Sequence, residues 1–349
     1  MQVNLIEILR CPVTREKLVL EIISEEHKIY NGEKITYIKE GILRSTDFIY
    51  PIIKGVPRLT VEAFQDYEDF LSLHAFDFNE FKTKIINNYE GFIKLINKKN
   101  KRTKESFSNE WNLFNYEKDK VWDLDKEGML QRFLNENDET KVSLKGKFIL
   151  DAGCGNGLLN QSVAANGNTI IGMDFSNSIE RAFEKNTELN AIFIQGDVQF
   201  PPFQFELFDI VHCSGVLIHT TNSELTFSCL TPCLKKGGKM SIWVYHPRKD
   251  FIHNLFNRIR QYTSKLPIKV QHYIYLFTLF PLSYFVKKAK GNPQNSREIM
   301  IDIYDWFSPE FRWEHHHEEV FTWFQKRDFK NFKVTTNEVF GFNSIGYKN

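Results

Sequence analysis

Carboxylates and glycines in the middle of the sequence have the types and spacing of a nucleoside-binding site. Residues 151–157 read DAGCGNG, an aspartate followed by glycines at alternate positions. Glycine lets the backbone turn tightly and lets a ligand approach without a Cβ in the way, and a helix that starts there offers unpaired N–H groups. The spacing is one residue shorter than the G-x-G-x-x-G of dinucleotide sites. It therefore leaves room for an amino-acid tail in place of a pyrophosphate.

Two further acids, Asp174 and Asp197, end the next two predicted strands. In a doubly wound sheet, a carboxylate after the second strand lies beside the ribose of the ligand and can accept bonds from both hydroxyls. The acid after the third strand lies near the adenine edge. Each feature is common by itself, but three acids at successive strand ends predict one crevice shaped for a nucleoside.

The elements that would position these residues begin at residue 147. Apolar strand-like segments alternate there with helix-like segments, a pattern that predicts a parallel sheet with covering helices. The predicted strands are KFILDAG (147–153), NTIIGMDFS (168–176), AIFIQGD (191–197), LFDIVHCSG (207–215) and KKGGKMSIWVYH (235–246). We expect the first helix to end at Asn166 and Gly167 and Ser176 to cap the second.

Over roughly residues 145–245, these motifs resemble the class I family of methyltransferases that depend on S-adenosyl-L-methionine (SAM). The resemblance includes LFDIVHCSGVLIHT at 207–220 and LKKGGKMSIWV at 234–244. It implies an α/β fold with a doubly wound, mainly parallel seven-stranded sheet of the Rossmann-like methyltransferase type. It also implies SAM as cofactor, S-adenosyl-L-homocysteine (SAH) as product, and methyl transfer as the activity.

The same resemblance implies a role for each motif residue. Asp151 and Gly153 contact the methionine part, Asp174 holds the ribose and Phe175 packs on adenine. Asp197 and Val198 recognise the adenine amino group, and Ser214 and Gly215 lie near the sulfonium. The cofactor-binding set is Asp151, Ala152, Gly153, Cys154, Gly155, Gly157, Asp174, Phe175, Ser176, Gly196, Asp197, Val198, Ser214 and Gly215.

Methyl transfer is an in-line displacement that depends mainly on positioning, and a hydroxyl acceptor also needs a general base. The candidate bases are His219, after the fourth strand, and His246, after the fifth. The family often has two histidines after the fourth strand, but here Ile218 takes the first place, which weakens a catalytic role borrowed for the pair.

The stretch 303–324 is rich in aromatic and histidine residues and resembles a segment of methyltransferases in natural-product and surface-sugar pathways. Tyr304, Asp305 and Trp306 are the predicted acceptor-pocket residues. Adjacent residues on a helix point in different directions, so we interpret the histidines at 315–317 as a helix start and predict no metal site.

Phe107 and Trp111 are four residues apart and share one face of a predicted helix. Two interpretations stay open. The pair belongs to a packed core, or the helix is a lid whose rings cover the sulfonium, with Trp111 in the cofactor site.

Residues 1–60 read as a small β-rich unit, residues 61–140 as a helical linker and lid, and residues 141–349 as the methyltransferase domain with a helical insertion at about 250–300. The first unit resembles a zinc-ribbon-type activator of methyltransferases, on LIEILRCPVT (5–14) and FIYPIIKGVPRL (48–59). Zinc needs four ligands, and Cys11 stands alone. We expect a metal-free scaffold; the alternative is a unit that recruits a macromolecular substrate.

Residues 270–286 carry no formal charge and are flanked by lysines at 265, 269, 287 and 288. The run is too short and too polar for a stable membrane span. It is either a buried helical cover or an interfacial helix that contacts a membrane or a lipid-like substrate.

The net charge of +1 gives no global basic field for nucleic acid, and five scattered cysteines with no leader segment favour a reducing cytoplasm. The expected acceptor is a small molecule methylated on O or N, with sugar, lipid-linked and natural-product compounds as the candidates. The alternatives are an RNA or protein substrate and a non-catalytic SAM-binding protein. The sequence does not give the oligomeric state.

Overall fold

The computed structural model describes residues 1–30, 32–115, 119 and 124–349. Seven strands form the sheet of the α/β domain, in the order β7-β6-β5-β8-β9-β11-β10. The strands are β5 (Phe148–Ala152), β6 (Thr169–Asp174), β7 (Ala191–Gly196), β8 (Phe208–Ser214), β9 (Leu234–Tyr245), β10 (Phe329–Asn337) and β11 (Gly341–Lys348). The first five are parallel, and β11 runs antiparallel to both of its neighbours. The predicted doubly wound α/β arrangement is confirmed.

The sheet is nevertheless larger than predicted, because the described residues form eleven strands and not seven. The additional strands are β1 (Val19–Tyr30), β2 (Glu33–Arg44), β3 (Ile49–Ile53) and β4 (Val56–Leu59). They pair antiparallel in sequence order, and β4 then joins β7 in parallel through Arg58 and Leu59. Without β4, strand β7 would be an open edge with unpaired backbone groups. The seven-strand prediction was wrong because alternation identifies strands but does not reveal a pairing between residues 137 positions apart.

Helices cover both faces of this sheet and extend beyond its edge. Those before β5 are α1 (Ala63–Asp66), α2 (Glu68–His74), α3 (Phe78–Leu113) and α4 (Lys126–Asn137). Those between the later strands are α5 (Leu158–Ala165), α6 (Ser178–Lys185), α7 (Ser223–Leu230) and α12 (His317–Lys326). Helix α3 has 36 residues and is therefore about 54 Å long at 1.5 Å per residue.

Two predictions about helix ends have different outcomes. Ser176 does not cap the second helix, because α6 begins at Ser178 after Asn177, and the Ser176 hydroxyl bonds to that of Ser178 at 2.6 Å. The helix-start interpretation of the histidines is confirmed, since α12 begins at His317.

The insertion after β9 is helical. It contains α8 (Phe251–Thr263), α9 (Ile268–Ile274), a π-helical turn (Tyr275–Leu279), α10 (Phe280–Ala289) and α11 (Ser296–Phe307). Its inner side packs around Tyr275, Ile303 and Phe307, whereas Phe277 and Phe285 on the outer side are more than 70% exposed. The segment is therefore a buried cover on one side only. No helix in the described part of the chain is long and apolar enough to cross a bilayer.

Candidate functional site

A cavity of about 420 Å³ lies at the carboxyl ends of the parallel strands. Its walls contain residues from the ends of β5, β6, β7, β8 and β9, from helix α3 and from the insertion. The α3 residues recur every three or four positions and so form one stripe along the helix: Lys99, Asn100, Thr103, Phe107, Glu110 and Trp111. Helix α3 therefore closes the crevice that the sheet alone would leave open.

The glycine bend is shaped by close contacts at two positions. Gly153 (φ +93°) and Gly155 (φ +54°) both have the left-handed backbone that a Cβ disfavours. A Cβ on Gly153 would lie 2.2 Å from Val216 Cγ2, and one on Gly155 would lie 2.8 Å from Trp111 Cζ2. The bend therefore depends on glycine both for its conformation and for its packing.

Asp174 fixes this bend from the end of β6. Its Oδ2 accepts a hydrogen bond from the Gly155 N–H at 3.0 Å, and its Oδ1 accepts one from the Ser176 N–H at 2.8 Å. Burial raises the pKa of the carboxyl, and these hydrogen bonds oppose that shift. Asp174 lines the cavity, so it holds the bend and also faces the ligand space.

Asp197, at the end of β7, is held in a similar way. Its Oδ1 accepts the Gln199 N–H at 2.8 Å, and its Oδ2 accepts the side-chain amide of Asn100 at 2.6 Å. Burial raises its pKa to about 6. The bond from Asn100 ties helix α3 to the third strand end.

A smaller cavity of about 60 Å³ adjoins the first one and shares Trp111, Arg132, Gly153, Gly155 and Ser214 with it. Asp151 lies in its wall, and burial raises the pKa of this carboxyl to about 7. Glu136 in the same wall accepts a 2.7 Å bond from Arg132 Nε, and its other oxygen lies 3.3 Å from His212 Nε2. In this small pocket the Arg132 guanidinium suits the carboxylate of an amino acid, and a buried acid beside it suits the ammonium.

The opposite part of the main cavity is acidic and aromatic. The Tyr245 hydroxyl donates to Asp305 Oδ2 at 3.2 Å, and the Arg312 guanidinium stacks 3.9 Å from the Tyr245 ring and 4.3 Å from the Trp306 ring. Burial raises the pKa of Asp305 to about 6. Glu110 is fully buried nearby, and burial raises the pKa of its carboxyl well above the ordinary range. The cavity therefore presents carboxyl groups to whatever it holds.

His219 is neutral in this environment. Its Nδ1 lies 2.8 Å from the Phe311 carbonyl oxygen, which can only accept, so Nδ1 carries the proton and Nε2 is the acceptor nitrogen. Burial lowers the pKa of the ring to about 3. The imidazole packs on Phe107, with ring centroids 5.3 Å apart.

Comparison with known proteins agrees with the resemblance over the central part of the chain. Residues 150–242, which carry Asp151, Asp174, Asp197 and Ser214, match the model of a methyltransferase domain. This match supports a class I SAM-dependent methyltransferase domain at residues 150–242. SAM is the cofactor of such domains, and the described residues fit it. The three strand-end acids face adjoining cavities, and Thr103 Oγ1 and Glu110 Oε2 are buried without a partner among the described residues.

Two curated relatives are similar to part of this chain. Ubiquinone biosynthesis O-methyltransferase of Coxiella burnetii is 31% identical over 105 residues, which cover 29% of this chain and 45% of that protein. The protein of the same name from Proteus mirabilis is 32% identical over 127 residues, which cover 34% and 51%. The chain therefore spans about half the length of the curated relatives it matches.

Among solved structures, magnesium protoporphyrin IX methyltransferase of Synechocystis PCC 6803 with bound SAH is similar at 14% identity. The alignment covers 71% of this chain and 98% of that chain, with a TM-score of 0.41. A likeness this distant supports no argument about the acceptor.

Most predicted residues of the methyltransferase site line one of the two cavities. Those in the main cavity are Trp111, Gly153, Gly155, Asp174, Phe175, Gly196, Asp197, Val198, Ser214, Gly215, His219, Asp305 and Trp306, and those in the smaller one include Asp151 and Cys154. Phe107 also lines the main cavity, next to Trp111 along α3. This placement favours the lid interpretation over simple core packing.

The remaining predicted residues lie outside the described walls of both cavities. Ala152, Gly157 and Ser176 stand behind the bend, where Gly157 packs against Phe193. His246 Nε2 lies 3.0 Å from the Glu338 carbonyl oxygen. Tyr304 bonds through its hydroxyl to His272 Nδ1 at 2.6 Å.

The sequence patterns did not identify several residues of the site. Asn100, Thr103 and Glu110 continue the stripe of Phe107 and Trp111, so the helical spacing could have indicated them. Arg132 was accessible from its four-residue spacing to Glu136 in the helix before β5. Tyr245 gave no such signal, because its pairing with Asp305 joins positions 60 residues apart.

Proposed function

We propose that this protein transfers the methyl group of SAM to an oxygen atom of a small-molecule acceptor. One observation carries the proposal: the cavity that contains Asp174 and Asp197 also contains Asp305 and Tyr245. Cofactor and acceptor can therefore meet in one cavity. The relatives named O-methyltransferases support oxygen as the methylated atom.

In this proposal the strand ends bind the cofactor. Asp174 accepts bonds from the ribose hydroxyls, Phe175 packs on the adenine, and Asp197 with Val198 recognises the adenine amino group. Arg132, in the smaller cavity, pairs with the carboxylate of the methionine part. The ring face of Trp111 would stabilise the positive charge of the sulfonium.

SAM, when bound, supplies an electrophilic methyl group on a positively charged sulfur. Asp305 would take the proton of the acceptor hydroxyl when its oxygen accepts the methyl group and SAH is left as the product. Its pKa of about 6 makes it a stronger base than His219, with a pKa of about 3, and still leaves it ionised at neutral pH. Tyr245 holds the carboxylate in place, and His219 Nε2 orients the acceptor by accepting a hydrogen bond.

The charge of the cavity disfavours an RNA substrate. Besides Glu110, whose pKa burial raises well above the ordinary range, five carboxyl groups line the cavity, those of Asp174, Asp197, Asp302, Asp305 and Glu338, against three cations, Lys99, Arg132 and Lys287. Such a surface repels a phosphate backbone and attracts a sulfonium. A non-catalytic role is disfavoured by the Asp305–Tyr245 pair, which SAM binding alone does not require.

Residues 1–60 act as a metal-free scaffold in this proposal. Cys11 is fully buried, and its sulfur bonds to the Tyr50 hydroxyl at 3.1 Å in the core of this unit. No described residue of this unit lines the cavity. The unit instead completes the sheet through β4, which supports a structural role over the activator role of the zinc-ribbon-like family it resembles.

The test is incubation of the full chain with SAM labelled on its methyl group and fractionated cell extract. We expect label in a small-molecule fraction, and much less with Asp305→Asn at the same SAH affinity. Label in RNA or protein would overturn the small-molecule proposal. Binding of SAM without label transfer to any fraction would favour the non-catalytic alternative.

A further inference from the structure

The helical insertion exposes an unusual amount of apolar surface. Of 25 large apolar side chains that are exposed in the described chain, eleven lie between residues 251 and 286. They are Phe251, Ile252, Leu255, Tyr262, Leu266, Val270, Tyr273, Phe277, Leu282, Phe285 and Val286. Large contiguous apolar patches on a protein surface mark sites of interaction.

Part of this surface is a continuous stripe along one helical rod. Val270 and Tyr273 of α9 and Phe277 of the following π-helical turn are spaced by three and four residues and are all exposed. The π-helical turn at Tyr275–Leu279 adds a residue to the local repeat, so Leu282 and Phe285 of α10 continue the stripe. The opposite side of the same rod packs on α11 through Tyr275 and Phe280. The outer stripe is therefore available while the inner face secures the fold.

The charged side chains of the segment itself have one sign, and two of them, Lys287 and Arg297, pair with Asp302 and Asp119 of other segments. Residues 251–297 contain no aspartate or glutamate and eight basic residues, Arg258, Arg260, Lys265, Lys269, Lys287, Lys288, Lys290 and Arg297. The ammonium groups of Lys265, Lys269 and Lys290 are exposed, and no described residue pairs with them. The whole chain has a net charge of only +1, so this concentration of positive charge is local.

We propose that the outer face of residues 251–290, here called the insertion face, binds the surface of a membrane that contains anionic lipid. Aromatic and aliphatic side chains enter the boundary between headgroups and acyl chains, and the lysines pair with lipid phosphates. The rod lies on the membrane, since no described helix is suited to cross it.

The position of the insertion face agrees with this occupant. Helix α10 carries the stripe, and Lys287 at its end lines the methyltransferase cavity, where it pairs with Asp302 and lies 2.5 Å from Gln294 Oε1. The cavity wall and the insertion face thus share one helix. On the proposed function, this arrangement would let an acceptor with a hydrocarbon chain reach the cavity from the bilayer.

The experiment is co-sedimentation of the full chain with lipid vesicles, which needs no enzyme activity. One set contains about three parts phosphatidylcholine to one part phosphatidylglycerol, and the other contains phosphatidylcholine alone. We expect binding to the anionic set to be at least about tenfold tighter and to weaken at high salt. Two triple variants should each weaken binding to the anionic vesicles by about tenfold or more. One is Tyr273→Ser/Phe277→Ser/Phe285→Ser, and the other is Lys265→Gln/Lys269→Gln/Lys290→Gln.

The matched control is Leu73→Ser/Phe76→Ser, which removes two strongly exposed apolar side chains on another surface and should leave binding unchanged. SAH affinity should stay equal in all variants, which separates loss of the face from loss of the fold. Absence of vesicle binding, or equal binding by the insertion-face variants, overturns the proposal. Sedimentation velocity without lipid is a second test of the proposal. If the wild-type protein is a dimer and the triple serine variant is a monomer, the insertion face binds a second copy of the chain and the membrane proposal is overturned.

Discussion

The indole ring of Trp111 lies directly against the backbone of Gly155, so close that a Cβ at this glycine would stand 2.8 Å from Trp111 Cζ2. Helix α3 and the cofactor bend are therefore fitted to one another. The bond from Asn100 to Asp197 makes a second connection between the same helix and the sheet. The packing of α3 on the sheet therefore also closes the cofactor site.

Gly155→Ala should weaken SAH binding by about ten- to hundredfold, since an inserted methyl group typically costs about 1–3 kcal/mol in a packed site and the alanine also takes a strained backbone. Isothermal titration calorimetry measures the change. Gly146→Ala is the matched control, because Gly146 has a similar positive φ of +74° but nothing within 4 Å of its Cβ position. Equal affinities for both variants would contradict the contact with Trp111.

Arg132→Met should distinguish binding of the amino-acid part of the cofactor from binding of its nucleoside part. If Arg132 binds the methionine carboxylate, SAH should bind at least about tenfold more weakly, since a hydrogen bond to a charged group contributes about 1.5–3 kcal/mol. Methylthioadenosine lacks the amino-acid tail, so its affinity should stay within about twofold. A parallel loss for both ligands would show that Arg132 acts through the fold and not through the tail.

Asp151 should make the ligand-free protein less stable as the pH rises. Its folded pKa of about 7 lies above the ordinary value of 3.8. Its contribution to stability is therefore complete below about pH 4 and is lost as the pH passes through 7. Asp151→Asn cannot ionise, so its stability relative to wild type should rise by about 2–3 kcal/mol between pH 5 and pH 8, at about 1.4 kcal/mol per pKa unit. Urea unfolding at both pH values measures this, and a difference that does not depend on pH would refute the shifted pKa.

Asp305→Asn should lower the rate of label transfer by about 100-fold or more, the usual range for loss of a general base, with SAH affinity unchanged. The wild-type rate should fall below about pH 6, where Asp305 becomes protonated. His219→Gln is the comparison, because it should keep this acidic limb if Asp305 is the base. Retention of the limb in Asp305→Asn, with its loss in His219→Gln, would give the base role to the histidine.

The sequence predicted those parts of the molecule that local patterns control. The strand ends carrying Asp174 and Asp197 follow from apolar runs bounded by glycine and acid, and the spacing of Phe107 and Trp111 predicted a shared helix face while leaving core packing and a lid both open. Pairings between distant segments could not be predicted this way. The junction of Arg58 with Gln195 and the bond between Tyr245 and Asp305 depend on tertiary packing, which no local periodicity encodes.

The packing of segment 270–286 also could not be predicted from its sequence. Its apolar content predicted a helix but not which side would be buried, because both sides are apolar. The π-helical turn shifts the register in the middle of the rod, so a regular helical repeat assigns residues beyond it to the wrong face.

The central claim, that SAM binds across the three strand-end acids, is tested most directly by calorimetry of the full chain with SAM and with SAH. We predict one site per chain for each ligand, and for Asp174→Ala an equal weakening of both by about 1.5–3 kcal/mol, since the ribose is common to them. Absence of heat with either ligand at millimolar concentration, or unchanged affinity in Asp174→Ala, would contradict the account.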